Sequence, residues 1–136
     1  MRGGYNSLKR RAKQKGLSTS LSFLEYAHLK RQDCCYCGVS NLLLKYYCQV
    51  MRINTPFMSI DRADNRRGYT KENSVAACYL CNRTKSSFFN YEEMCKIGKM
   101  FVAPKLKIFE KQAEEAYREW RLEHEFHPDD WEGWEF

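Results

Sequence analysis

The 136 residues amount to one domain with extensions, too few for a multi-domain machine, and no stretch approaches the ~20 apolar residues of a membrane span. Leu, Ile, Val and Phe total 27, about a fifth of the chain, so the aliphatic core is thin and a disulfide or metal staple is expected. The net charge of +6 hides a split: residues 1–113 carry 21 basic and 8 acidic side chains, residues 114–136 carry 2 and 9, and a +13 body with a −7 tail suits a polyanionic partner.

In chain order, Asn6 or Ser7 caps a first helix from Leu8 to about Lys15, ended by Gly16. It is dominated by Lys9, Arg10, Arg11, Lys13 and Lys15 and shows little apolar face. Ser22 and Glu25 form a capping box for a second helix, Phe23 to about Gln32, with Phe23, Leu24, Ala27 and Leu29 turned inward. Cys34-Cys35-Tyr36-Cys37-Gly38 reads as a tight metal knuckle, and the apolar run 42–51 as a strand. Met58 to Arg62 is a short strand, Ala63 to Gly68 a polar turn, and Tyr69 to Ala76 the returning strand of a hairpin. Cys78 to about Phe88 is a short helix, and Asn90 caps another that reaches roughly Phe101 before Pro104 breaks it. Leu106, Phe109, Ala113, Ala116 and Trp120 then form one apolar stripe on a long helix, too short in heptads for a coiled coil.

Seven cysteines, an odd number, follow an N-terminus with no apolar signal-peptide run. That combination points to a reduced intracellular compartment, where paired cysteines are metal ligands. Cys34-x-x-Cys37 and Cys78-x-x-Cys81 each deliver two thiolates to one side of an ion, the pattern of a closed four-Cys zinc site. Such a site has no open position for water, so its zinc is structural. Cys35 is an alternative ligand, whereas Cys48 and Cys95 read as buried thiols.

Between the knuckles runs Ser59-Ile60-Asp61-Arg62-Ala63-Asp64, then Arg66-Arg67-Gly68-Tyr69 and Asn73, leading into Cys78-Tyr79-Leu80-Cys81-Asn82-Arg83-Thr84-Lys85. This D-R-x-D…G-Y…N…C-x-x-C-N-x-x-K pattern resembles the HNH, or ββα-metal, endonucleases, in particular their rare-cutting restriction-type and phage or homing-type members. The likeness covers about Cys34 to Phe89 and is most specific from Asp61 to Lys85. It implies an α+β fold: a ββα-metal (His-Me finger) core at 34–90, braced by one zinc, between a basic helical DNA-binding extension at 1–33 and a helical, acidic-tailed one at 91–136. It also implies the cytoplasm of a bacterial or virus-infected cell.

The resemblance assigns a catalytic Mg²⁺ or Mn²⁺ to Asp61 and Asn82. A hard cation takes oxygen ligands, keeps several waters and needs only one or two from protein. The histidine that serves the family as general base is missing: Arg62 stands there, and no histidine lies between His28 and His124. Arginine cannot accept a proton at neutral pH, so Arg62 is read as a phosphate ligand or transition-state stabiliser. Tyr69 is the candidate base; a phenol is a weak one, and Arg62 and the cation are needed to activate it. Its plainer reading is a packed aromatic. Asn73 matches the central family Asn, which orients the base.

The expected function is site-specific, metal-dependent hydrolysis of phosphodiester bonds in double-stranded DNA, of restriction or homing type. The alternative is a catalytically inactive zinc-braced DNA-binding module. Palindromic cutting requires a homodimer, whereas nicking needs one copy. Lys9, Arg10, Arg11, Lys13 and Lys15, with Arg66, Arg67, Arg83 and Lys85, are the expected DNA contacts. The tail from Glu114, with Trp120, Trp131 and Trp134, should avoid DNA, and its His124 and His127 are not expected to be ligands.

Overall fold

The computed structural model describes residues 1–124; Trp131, Trp134 and His127 lie outside them. Its elements are α1 (Arg2–Gln14), α2 (Phe23–Lys30), α3 (Asn41–Val50), β1 (Ser59–Arg62), β2 (Ser74–Ala77), α4 (Tyr79–Lys85), α5 (Tyr91–Ile97), a π-helical turn (Gly98–Val102), α6 (Ala103–Lys107) and α7 (Glu110–Glu123). The expected α+β class and two-strand-plus-helix core are present.

β1 and β2 pair antiparallel, with Ser59 opposite Ala77 and Arg62 opposite Ser74. A two-stranded ribbon this short has no stability of its own and must be held by what packs on it. Two apolar clusters do so. The larger gathers Tyr36, Val39, Leu43, Leu44, Met58, Ala76, Ala77, Met94, Leu106 and Ala113 around the paired cysteines. The smaller joins Leu8, Tyr26, Leu21 and Ile60, with Tyr5, Phe23 and Tyr69 packed against them. Leu44 has no exposed surface, and burying a side chain of that size contributes about 2 kcal/mol.

Several elements differ from their sequence reading. The segment 42–51 is a helix, not a strand: Ser40 accepts from the Leu43 N–H as its N-cap, and Leu43, Leu44 and Cys48 face the core at helical spacing. α1 begins at Arg2 and runs through Gly3 and Gly4 with no side-chain cap. It does have an apolar face, since Leu8 and Ala12 are buried and Tyr5 is half-buried. In α2 the Ser22–Glu25 capping box forms as expected, but Tyr26 and Ala27 are the buried residues and Leu24 lies 78% exposed.

Pro104 does not end a helix. It sits at the start of α6, where its missing N–H costs nothing, and the π turn before it absorbs the misfit. Gly98 opens that turn because any side chain there meets backbone: a Cβ would lie 2.5 Å from the Tyr36 carbonyl oxygen. The apolar stripe is shared by two helices, Leu106 on α6 and Ala113 on α7, and Phe109 between them meets Tyr47 edge-on at 5.5 Å.

A candidate metal-dependent active site in a basic cleft

Cys34, Cys37, Cys78 and Cys81 come together with all four Sγ atoms within 4.8 Å of one another. A zinc ion with Zn–S of about 2.3 Å sets tetrahedral sulfur atoms about 3.8 Å apart, and Cys37 and Cys78 stand at 3.7 Å. The donor set therefore fits a metal ion such as zinc, which takes thiolates. Cys35 is outside the cluster; its backbone N–H donates to the Ala76 carbonyl at 2.9 Å and ties the knuckle to β2. Cys48 is buried, and burial raises its thiol to about 11; Cys95 is half-buried.

The brace fixes two elements that carry the proposed chemistry. Cys78 is both a cluster member and the N-cap of α4, its sulfur accepting from the Cys81 N–H, so the thiols aim α4 directly. One turn on, Asn82 donates from Nδ2 to Ser59 Oγ at 2.9 Å, and Ser59 donates to the Ala77 carbonyl at 2.7 Å. The Asn82 Oδ1, the atom a cation uses, is left for another partner.

Asp61 on β1 is 8% exposed. Tyr36 donates to its Oδ2 at 2.6 Å, and the Lys85 ammonium stands 3.2 Å from the same oxygen. Both contacts fall on one oxygen, so Oδ1 is the atom open to a ligand. The carboxylate raises the Tyr36 hydroxyl above its ordinary value, with burial the larger cause. Asp61 and Asn82 line one cleft of about 500 Å³ together with Arg62, Tyr69, Arg11 and Lys15. Hard oxygen donors in a polar cleft fit Mg²⁺ or Mn²⁺ and not a soft metal.

Tyr69 is not on β2, as the hairpin reading had it. It pairs with the linker between α1 and α2: its N–H donates to the Ser18 carbonyl at 2.9 Å, and its carbonyl accepts from Ser20 at 3.0 Å and Leu21 at 3.2 Å. Gly68 makes this approach feasible, because a Cβ there would lie 2.1 Å from the Ser18 carbonyl oxygen. The Arg62 guanidinium stands 5.6 Å from the Tyr69 ring centre, and its Nη1 donates to the carbonyls of Asn65 and Arg67. Asn73 is 3% exposed and fastens the intervening loop, donating to the Gly68 and Asp64 carbonyls and accepting from the Asp64 N–H. It thereby holds the residue next to Tyr69.

Of the expected DNA contacts, Lys9, Arg10, Arg11 and Lys13 are exposed along α1 and Lys15 at its C-cap, and Arg66, Arg67 and Arg83 are exposed as well. Arg66 pairs with Asp64 at 3.2 Å, and Arg83 donates to the Tyr79 hydroxyl. Lys85 differs: it has no exposed surface, so its ammonium faces Asp61 and not solvent.

Four further residues belong to the site. Tyr36 hides within the Cys knuckle, and nothing in its local sequence signals a bond to a strand 25 residues away. Ser59 orients Asn82. Lys30 lines the cleft and donates to the Met58 carbonyl. Ser86 lines it at φ +48°, a left-handed conformation of the kind that collects at functional sites.

No protein-family model matches the chain. An 83-residue stretch is 34% identical to an uncharacterized protein of Acanthamoeba polyphaga mimivirus, a match that takes in 61% of this chain and 13% of that protein. The chain thus spans a small part of this relative's length. Among solved structures, the rare-cutting HNH restriction endonuclease PacI, described for its mechanism of DNA perturbation, aligns with a TM-score of 0.64 and 26% identity over 75% of each chain. The chain is therefore similar to the HNH endonucleases, with an HNH-like fold and a four-Cys cluster able to bind zinc. Among the described residues no helix is long and apolar enough to cross a membrane.

Proposed function

We propose that this chain is a metal-dependent endonuclease hydrolysing phosphodiester bonds in double-stranded DNA, site-specifically and in a reduced intracellular compartment. One observation carries the reading: a single basic cleft gathers Asp61, Asn82, Arg62 and Tyr69 against Arg11 of α1 and Lys15 just beyond it, in a fold similar to that of PacI. The proposed organisation is a zinc-braced nuclease core at 34–90 flanked by extensions at 1–33 and 91–136.

Asp61 Oδ1 and Asn82 Oδ1 would hold Mg²⁺ or Mn²⁺, which offsets the charge developing on the scissile phosphate and its leaving oxygen. Arg62 carries a fixed positive charge into the same cleft and binds a phosphate oxygen. Tyr69 is the proposed base, with the Arg62 guanidinium 5.6 Å from its ring centre. Asn73 acts as a positioning residue through Gly68. Arg11 and Lys15 meet flanking phosphates, which places DNA without reading its sequence. The proposed DNA contacts also include Lys9, Arg10, Lys13, Arg66, Arg67 and Arg83. Palindromic cutting calls for a homodimer presenting two such clefts.

The test is digestion of supercoiled and linear DNA with Mg²⁺ or Mn²⁺, followed by sequencing of fragment ends. Defined, metal-dependent ends support the reading, and intact DNA that is nevertheless bound replaces it with a DNA-binding module.

A further inference from the structure

A buried cation stands behind the cleft wall, against Asp61, Arg62 and Asn65, which line it. Lys85, the last residue of α4, is wholly buried, with Nζ 3.2 Å from Asp61 Oδ2, 3.0 Å from the Arg62 carbonyl oxygen and 2.6 Å from Asn65 Oδ1. Three oxygens match the three donors of an ammonium. Leaving this place would strand a buried charge, so the side chain is fixed. Among the described residues Asp61 is the one carboxylate lining the cleft, whereas Arg11, Lys15, Lys30 and Arg62 line it with positive charge. A divalent cation arriving at Asp61 in DNA-free protein therefore meets a carboxylate already neutralised and an excess of positive charge. A DNA phosphate entering the cleft reverses that balance and brings oxygen ligands with it.

We propose that Lys85 is a resident counter-ion of Asp61 that makes divalent-cation binding conditional on DNA, so that cation and phosphate enter as a pair. The inference rests on the nuclease reading above and specifies how its site is loaded. Lys85 is a positioning residue here, and it shields unloaded protein from cations that would otherwise occupy Asp61. Linkage makes the effect reciprocal: whatever factor DNA adds to cation affinity, the cation adds to DNA affinity.

The experiment is titration of Mn²⁺ followed by electron paramagnetic resonance, with and without a random-sequence DNA duplex. Wild type, Lys85→Gln and Asp61→Asn are compared, and the site's signal is the part lost in Asp61→Asn. Fluorescence anisotropy of the labelled duplex reports DNA binding in the same samples. Wild type should take up Mn²⁺ at least about tenfold more tightly with duplex, and Lys85→Gln should bind it about tenfold more tightly than wild type without DNA. Equal Mn²⁺ affinity with and without duplex overturns the inference while leaving the nuclease reading intact. So does a folded Lys85→Gln that binds as wild type does. Should Lys85→Gln lose its far-ultraviolet circular dichroism, the two wild-type titrations decide alone. Absence of duplex binding overturns the nuclease reading and this inference with it.

Discussion

Gly68→Ala tests how the cleft is assembled. The added Cβ would lie 2.1 Å from the Ser18 carbonyl oxygen and 2.9 Å from its carbon, both backbone atoms that no rotamer change can move. Ordinary contact at about 3.5 Å requires the strand-like segments 18–21 and 68–70 to separate by more than about 1 Å. That strains or breaks the bonds from Tyr69 to Ser18 and from Ser20 and Leu21 to Tyr69. Three backbone bonds at about 0.5–1.5 kcal/mol each, net of exchange with water, give a loss of about 1.5–4.5 kcal/mol. The same shift moves Tyr69 relative to Asp61, and a displacement of about 1 Å at a reacting group costs about 100-fold in rate. Urea denaturation followed by tryptophan fluorescence measures the first effect, and cleavage of supercoiled DNA the second. Duplex affinity should change little, because α1 and its basic side chains stay in place. A Gly68→Ala protein within about 0.5 kcal/mol of wild type and fully active would refute the claim that this contact positions Tyr69.

The other predictions concern the cores beneath the cleft. Tyr36→Phe removes a 2.6 Å bond to a nearly buried carboxylate and should cost about 1.5–3 kcal/mol in denaturant unfolding, with the packing of the ring preserved; an unchanged midpoint would contradict the geometry. Cys81→Ser, or chelation of wild type, should abolish the cooperative thermal transition, the outcome expected of a thin core braced by an ion on the four thiols. The Cys48 thiol is raised to about 11 by burial, so the folded state keeps its proton longer than the unfolded chain does. The associated stability is complete below the unfolded value near 9 and is lost as pH climbs through about 11. Unfolding titrations across that window should show a slope that Cys48→Ala reduces by about 2 kcal/mol in total.

The sequence carried those features whose cause is local or whose chemistry is distinctive. The Ser22 and Asn90 capping boxes form because Glu25 and Glu93 sit three residues on, within reach of the cap backbone. The two C-x-x-C pairs meet because thiolates at that spacing suit one ion. Asp61 and Asn82 line one cleft as the HNH pattern implied. What escaped depends on distant partners. An apolar run such as 42–51 has no periodicity that separates a strand from a buried helix, and Ser40, just outside it, decides the outcome. Tyr69 looks like strand, and is extended, but it pairs with Thr19, 50 residues away. Lys85 looked like a phosphate contact because lysines are usually exposed; only the fold shows that it turns inward to Asp61.

The central claim is that Asp61 and Asn82 bind the cation that hydrolysis requires. Its most direct test is to incubate supercoiled DNA with Mg²⁺ and wild type, Asp61→Asn or Asn82→Ala, with duplex affinity measured in parallel by anisotropy. Metal-dependent cutting by wild type, reduced about a thousandfold or more in both variants while duplex binding persists, is the predicted result. Cutting that survives in either folded variant, or proceeds equally in chelator, would contradict the assignment.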